Sequence, residues 1–239
     1  MAIAADFQRV YEVGPVFYFK NSGSDECLAE YIGLDLEMTL SYSYNELMQV
    51  VCGLLKDIFA TVQSMRGLQI LRQRQPSVDL VWPDKLPIVH FGDALQMLRK
   101  DGFDAEDKDL SAQDEKRLGE LVKERYESDC YVLDRLPACA QPFYMQKCVE
   151  DLAWTNSFDV FVRGQRIGSG GQRIHEPQEL RMSMRNTGMS EDDVEEYLIG
   201  FDLGIPPHGG ASLDLDRLVA ALLQLEDHCY LLPTISGLR

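Results

Sequence analysis

The chain has 239 residues, 45% of them apolar and 26% charged, with a formal net charge of −16. That balance suits a globular protein with one large core or two modest ones, and no apolar run approaches the roughly 18 residues a membrane span needs. So acidic a surface excludes a chain-wide nucleic-acid-binding face, because that affinity comes from lysines and arginines that neutralise phosphates. Met1-Ala2-Ile3-Ala4-Ala5 is followed at once by Asp6 with no basic stretch, so the expectation is no secretory signal peptide. Cys27, Cys52, Cys130, Cys139, Cys148 and Cys229 form no C-x-x-C pair and suit no zinc site. They read as small thiols in a reducing compartment, with cytoplasm as the default.

Residues 9–19 are rich in Val, Tyr and Phe and predict a strand. Ile32, Leu34, Leu36, Met38 and Leu40 alternate with Gly33, Asp35, Glu37 and Thr39, the period of a second strand. The two are expected to lie antiparallel, with residues 20–30 as a long polar loop of the kind that carries function. Residues 45–65 carry a 3.6-residue apolar stripe, a helix packed on a sheet. Residues 69–84 read as irregular, 93–100 as a short helix and 102–109 as a loop. Residues 112–126 predict an amphipathic helix capped by Ser111, with Asp114 and Glu115 in its first turn. Strands are expected at 129–133 and 158–163. Past a turn at Gly164, residues 165–174 form a strand unusual for Gly168, Gly170 and Gly171, which mark bulges or close approach of a ligand or another backbone. Helices are expected at 177–186 and 191–204, and a last buried helix at 213–225. The order implies an α+β fold on an antiparallel sheet.

Four segments carry a resemblance. Phe7-Gln8-Arg9-Val10-Tyr11-Glu12-Val13-Gly14-Pro15-Val16-Phe17, continued by Glu30-Tyr31-Ile32-Gly33-Leu34-Asp35-Leu36-Glu37-Met38, resembles motif 2 of the class II aminoacyl-tRNA synthetases. Its wording is most like that of archaeal and eukaryotic aspartyl-tRNA synthetases. Asn156 to Gly164 and Ser169-Gly170-Gly171-Gln172-Arg173-Ile174-His175 resemble that group's amino-acid-binding strands, and Pro206-Pro207-His208-Gly209-Gly210 running on to Arg217 resembles motif 3. The resemblance implies an antiparallel six- or seven-stranded sheet flanked by helices. It implies a family chemistry in which an aspartate carboxylate attacks the α-phosphate of ATP, with magnesium and cationic side chains on the phosphates, before transfer to tRNA. It also implies that motif 1, the substrate-binding lysine, the flipping loop and the anticodon-binding domain would precede Met1, leaving residues 1–239 as one catalytic-type domain.

Carried over by resemblance, Arg173 matches the arginine that clamps the substrate's side-chain carboxylate, where a planar fork suits bidentate pairing. Asp35 matches the carboxylate near the substrate ammonium, and Ser169 and Gln172 match polar residues of the same pocket. Arg217 matches the motif 3 arginine on the ATP base and γ-phosphate, and His208 the histidine that opens motif 3. Arg173 and Asp35 are expected to face one shared cavity, with Asp214 intruding on the nucleotide site beside it. Without the resemblance, Arg173 also reads as a strand-pairing arginine, Arg217 as a solvated helix arginine and His208 as a hydrogen-bonded structural histidine.

Other positions depart from the family. Tyr18-Phe19-Lys20 stands where the family has Arg-Ala-Glu, so the arginine that grips the α-phosphate is gone; Glu26 and Cys27 replace a loop arginine and histidine. Arg166 replaces the magnesium-binding glutamate, and Asp214 replaces a motif 3 glycine. The expectation is a shortened, degenerate paralogue with no cofactor of its own and weak or no tRNA binding. Its partners would be itself or a full-length synthetase, and it would have no membrane association. The alternatives are an active ATP-dependent aspartate or asparagine ligase or an aspartate-binding protein, and a fragment of a longer synthetase. Truncation alone, however, would not alter positions 18, 20, 166 and 214.

Overall fold

A computed structural model describes residues 1–17, 30–74 and 76–225. Strand β1 (Arg9–Phe17) pairs antiparallel with β2 (Glu30–Thr39), from Arg9 opposite Met38 to Phe17 opposite Glu30. Helix α1 (Asn45–Ser64) buries Leu47, Met48, Val51, Leu55 and Phe59, the stripe its sequence shows. Helix α2 (Arg66–Arg74) follows where residues from 69 on read as irregular. Leu68 is its one buried side chain, so no apolar period announces it.

The short strand β3 (Ile88–His90) runs straight into α3 (Phe91–Lys100), then come α4 (Ala112–Tyr126) and β4 (Cys130–Asp134). At the start of α4, the Asp114 amide donates to Ser111 Oγ at 3.2 Å and the Ser111 amide donates to Asp114 Oδ2 at 3.0 Å, so two orphan amides are satisfied reciprocally. Strands β5 (Ser157–Val162) and β6 (Gln165–Gln172) form a hairpin whose turn holds Arg163 at φ 52° and Gly164 at φ 74°. Helices α5 (Pro177–Asn186) and α6 (Glu195–Asp202) lead to β7 (His208–Asp214) and α7 (Leu215–Leu223).

The sheet order is β1-β2-β7-β6-β5-β4-β3. Two expectations need correction. The sheet is mixed rather than wholly antiparallel, because β3 pairs parallel with β4. Three residues are too few to show a period, and the parallel pairing is reached through the α3–α4 crossover. The helix expected from 213 begins at Leu215, and the glycine-rich run before it is β7, a central strand. That strand hides from a periodicity reading because Gly209, Gly210 and Ala211 offer almost no side-chain pattern.

One face of the sheet packs Leu34, Leu36, Val160, Ile167 and Leu213 against α1 and α7. On the other face α3 and α4 cover the β3–β5 end around Tyr131, Leu133 and Phe161. Helices α5 and α6 enclose a smaller core with Ile3 and Ile174. Between these two covers the middle of that face stays open.

Candidate functional site

The open face has a floor of small residues between carboxylates. Asp35 pairs with Ser212, Ser212 with Ser169, and Ser169 with Asp159, so four neighbouring strands place these side chains in one row. Residues paired directly across strands share a face, and alternate residues along a strand do too. Above the row lies a cavity of about 520 Å³ whose lining includes Tyr31, Asp159, Arg166, Ser169, Asp214 and Arg217. Asp35 itself is exposed and does not line it.

Arg166 is braced between two acids. Its Nη1 donates to Asp159 Oδ2 at 3.1 Å, and its Nη2 lies 3.4 Å from Glu115 Oε1 on α4. Burial pushes the Glu115 carboxyl up to about 7, against the pull of Arg166. It likewise pushes Asp159 up to about 6, with Arg166 again opposing. Loss of water outweighs the ion pair at both sites. The residues do not fit a magnesium ion. The position that resembles the family's metal-binding glutamate presents a guanidinium, which already pairs with one oxygen each of Asp159 and Glu115. Among the described residues no group of three His, Cys, Asp or Glu side chains is arranged to hold a metal.

Asp214 faces the same cavity as Arg217 and also has a local task. Its Oδ1 accepts from the Arg217 amide at 2.9 Å, which makes it the N-cap of α7. Its Oδ2 lies 3.2 Å from Arg217 Nε, a close ion pair without hydrogen-bond alignment. Burial raises the Asp214 carboxyl above its ordinary range, opposed by the Arg217 amide and charge.

Arg173 lies elsewhere, and the expectation that it shares a cavity with Asp35 is corrected. Arg173 lines a separate hollow of about 320 Å³ with Glu37, Tyr144, Tyr197 and His208. Its Nε donates to Glu37 Oε1 at 3.1 Å, and its guanidinium carbon lies 5.1 Å over the Tyr144 ring. The cause is register. Glu37 is two residues beyond Asp35 on β2, on the same face but one step along it, level with the C-terminal end of β6, which Arg173 follows directly. A Cβ at Gly210 would collide with the Glu37 carboxylate, so glycine there is what lets Glu37 lie across β7.

His208 lines the Arg173 hollow and not the Arg217 cavity, so the two nucleotide-side residues suggested by resemblance are apart. Its Nδ1 lies 2.9 Å from the Pro206 carbonyl, and burial lowers its pKa below the ordinary histidine value. Gln172 lines neither cavity; its Oε1 accepts from Asn156 Nδ2 at 2.9 Å. Tyr18, Lys20, Glu26 and Cys27 lie outside the described residues. The sequence reading passed over Glu115 and Asp159. A single acid inside the apolar run Phe158-Asp159-Val160-Phe161-Val162 was the available signal, since a charge in a buried strand needs a partner.

Residues 1–228 match the family profile of the class II tRNA synthetases (D, K and N). The cytoplasmic aspartate–tRNA ligase 1 of Arabidopsis thaliana is 37% identical over 95% of this chain and 43% of its own length. The cytoplasmic aspartate–tRNA ligase of Homo sapiens is 36% identical over 95% of this chain and 46% of its own. This chain therefore spans less than half the length of these relatives. The aspartyl-tRNA synthetase structure from Entamoeba histolytica superposes with a TM-score of 0.91 at 36% identity, covering 95% of this chain and 47% of that one. The family expected from motifs 2 and 3 and the fold expected with it are thus both found: the chain belongs to the class II tRNA synthetases of the D, K and N group.

Proposed function

We propose that this chain is an aspartyl-tRNA synthetase-like protein that carries out neither aspartate adenylation nor tRNA aminoacylation and acts instead by binding, in a regulatory role. The observation that carries this reading is Arg166 held between Asp159 and Glu115. Adenylation develops charge on a phosphate, and removing one preorganised stabilising charge costs about 10²–10³ in rate. Here two such groups are replaced, the arginine at Tyr18 and the glutamate at Arg166. Asp214 adds a carboxylate beside Arg217. The combined loss is on the order of 10³–10⁶, allowing for non-additivity. The deciding experiment is aspartate-dependent ATP–pyrophosphate exchange: none above background is expected, and exchange at rates typical of adenylating enzymes would end the reading.

The net charge of −16 supports weak tRNA binding; a gel shift at physiological salt should show none below micromolar concentrations. The partner on this reading is a second copy or a full-length synthetase, in the cytoplasm, where the names of the two relatives place them.

One observation favours a second reading, aspartate binding without activation. The Arg173 side chain makes its one hydrogen bond to a described residue through Nε, which leaves its terminal nitrogens unbonded among the described residues, and the residue lines the hollow. Those nitrogens form the edge suited to a bidentate carboxylate. Calorimetric titration with aspartate alone separates the two readings: heat lost in Arg173→Ala supports the second.

A further inference from the structure

We propose that the free edge of β1 is a self-association surface, on which a second copy of this chain lays its own β1 antiparallel across a two-fold axis, Val13 facing Val13. This rests on the reading of the chain as a binding protein and gives the second-copy partner its surface. Three observations carry it.

The first is an open ladder. Strand β1 ends the sheet, and among the described residues no strand lies beyond it. The direction of its unpaired groups follows from β2. The Ile32 amide turns away from β1 to donate to Asp216 Oδ2 at 2.8 Å, whereas the Thr39 amide donates to the Gln8 carbonyl at 3.0 Å. The amide and carbonyl of one strand residue point to the same side, and the side alternates along the strand. Pro15, opposite Ile32, therefore turns its backbone outward, and Arg9, Tyr11, Val13 and Phe17 do the same. The one residue of β1 that cannot donate sits where β2 asks nothing of it.

The second is an uncovered apolar row. Tyr11 and Val13 lie opposite Leu36 and Leu34, on the face that α1 and α7 cover, yet they are 80% and 53% exposed. Phe17, on the same face, is 69% exposed. The helical layer stops at β2. Edge strands are commonly blunted by charge, and β1 carries only Arg9 and Glu12.

The third is self-complementarity. Antiparallel pairing about Val13, the midpoint of β1, overlaps all nine residues of the strand. It sets Tyr11 against Pro15 and Arg9 against Phe17, so one face gains aromatic–proline packing and a guanidinium over an aromatic ring. On the other face Glu12 meets Gly14, and like charges never meet. The Tyr11 amide still finds the Pro15 carbonyl. Centring on Glu12 would place two carboxylates opposite each other, and centring on Gly14 would leave Arg9 without a partner, so the register is specified. Each copy offers the patch it receives, the condition for a closed dimer. The product is one continuous sheet with both helical layers on the same side. An unrelated strand lacks this match.

The test is sedimentation equilibrium on the full chain, with a dimer expected at micromolar concentrations. Val13→Pro removes an outward amide and none that β2 uses, so the monomer should fold. Its dissociation constant should rise at least about tenfold, because the two central bonds are lost. Val13→Cys should form a disulfide under mild oxidation that mass spectrometry places at residue 13 of both copies. Tyr11→Cys, whose sulfurs would be offset by about 13 Å along the strands, should not. A chain that stays monomeric at submillimolar concentrations overturns the proposal, whatever else binds the edge. So does a dimer whose dissociation constant is unchanged in Val13→Pro, or a cysteine at 11 that cross-links as readily as one at 13. The cross-link decides should Val13→Pro not fold. Because these measurements read association and the exchange assay reads chemistry, a monomer with no exchange sinks the edge pairing and leaves the proposed loss of adenylation standing.

Discussion

Glu37 reaches Arg173 across the bare backbone of Gly210, and the 3.1 Å contact between Glu37 Oε1 and Arg173 Nε exists only because position 210 has no side chain. Gly210→Ala should therefore destabilise the protein by about 1–3 kcal/mol, the usual range for forcing a methyl group into a packed site. Glu37→Ala made alongside should recover part of that loss, because it removes the colliding group. Denaturant unfolding of the two single variants and the double variant measures the coupling, and strictly additive effects would show that the two residues do not meet.

Asp214 is expected to matter more to stability than to chemistry. Asp214→Ala removes the cap on the first turn of α7 and should cost about 0.5–2 kcal/mol, whereas Asp214→Asn, whose side-chain oxygen can still accept from the Arg217 amide, should cost little. Equal losses in the two variants would assign the effect to charge rather than to capping.

The paired acids beside Arg166 give stability a pH dependence whose sign is fixed. Glu115 and Asp159 titrate higher in the folded chain than in the unfolded one, at about 7 and about 6. Between the ordinary carboxylate range and those values the folded state holds more protons. Their contribution to stability is therefore full at low pH, declines as pH rises through that window and levels off above about pH 7. The slope is at most about 1.4 kcal/mol per pH unit for each group. Glu115→Gln, which carries no titrating proton, should flatten the profile between pH 5 and 7 in denaturant unfolding; an unchanged profile would remove Glu115 from the account.

Arg163 closes the other end of α7. Its guanidinium donates to the carbonyls of Ala221 at 3.0 Å and Leu222 at 3.2 Å, and to Val78 at 2.8 Å. Arg163→Met keeps the apolar stem and removes these bonds. A loss of about 1.5–3 kcal/mol is expected, because the bonds are charge-assisted. A loss below about 0.5 kcal/mol in thermal or denaturant unfolding would mean that water replaces them.

The parts of the fold legible in the sequence are those with a side-chain period. The alternation from Ile32 to Leu40 and the stripe along α1 lead directly to β2 and its helical cover, and Ser111 with Asp114 marks the start of α4. Strand β7 is not legible this way, since its glycines answer to a neighbour on β2 that lies more than 160 positions earlier in the chain. At the site, resemblance singled out Arg173, Ser169, Arg166 and Arg217. It did not place them, because the division into two hollows depends on a two-residue step of register between Asp35 and Glu37. Glu115 was read as a helix-start residue, which it is; its second role as a brace for Arg166 arises only when α4 lies over the β5–β6 hairpin.

The order β1-β2-β7-β6 has a consequence for synthesis. The interior strand β7 is the last strand of this sheet to leave the ribosome, after both neighbours have long been available. Until residue 214 emerges, β2 and β6 each present an open edge of unpaired amides and carbonyls, and the cavity floor is missing its middle row. A nascent chain in that state is an invitation to foreign strands. The small residues Gly209, Gly210 and Ala211 in β7 then have a kinetic merit: that stretch can slide between two waiting edges with little to displace.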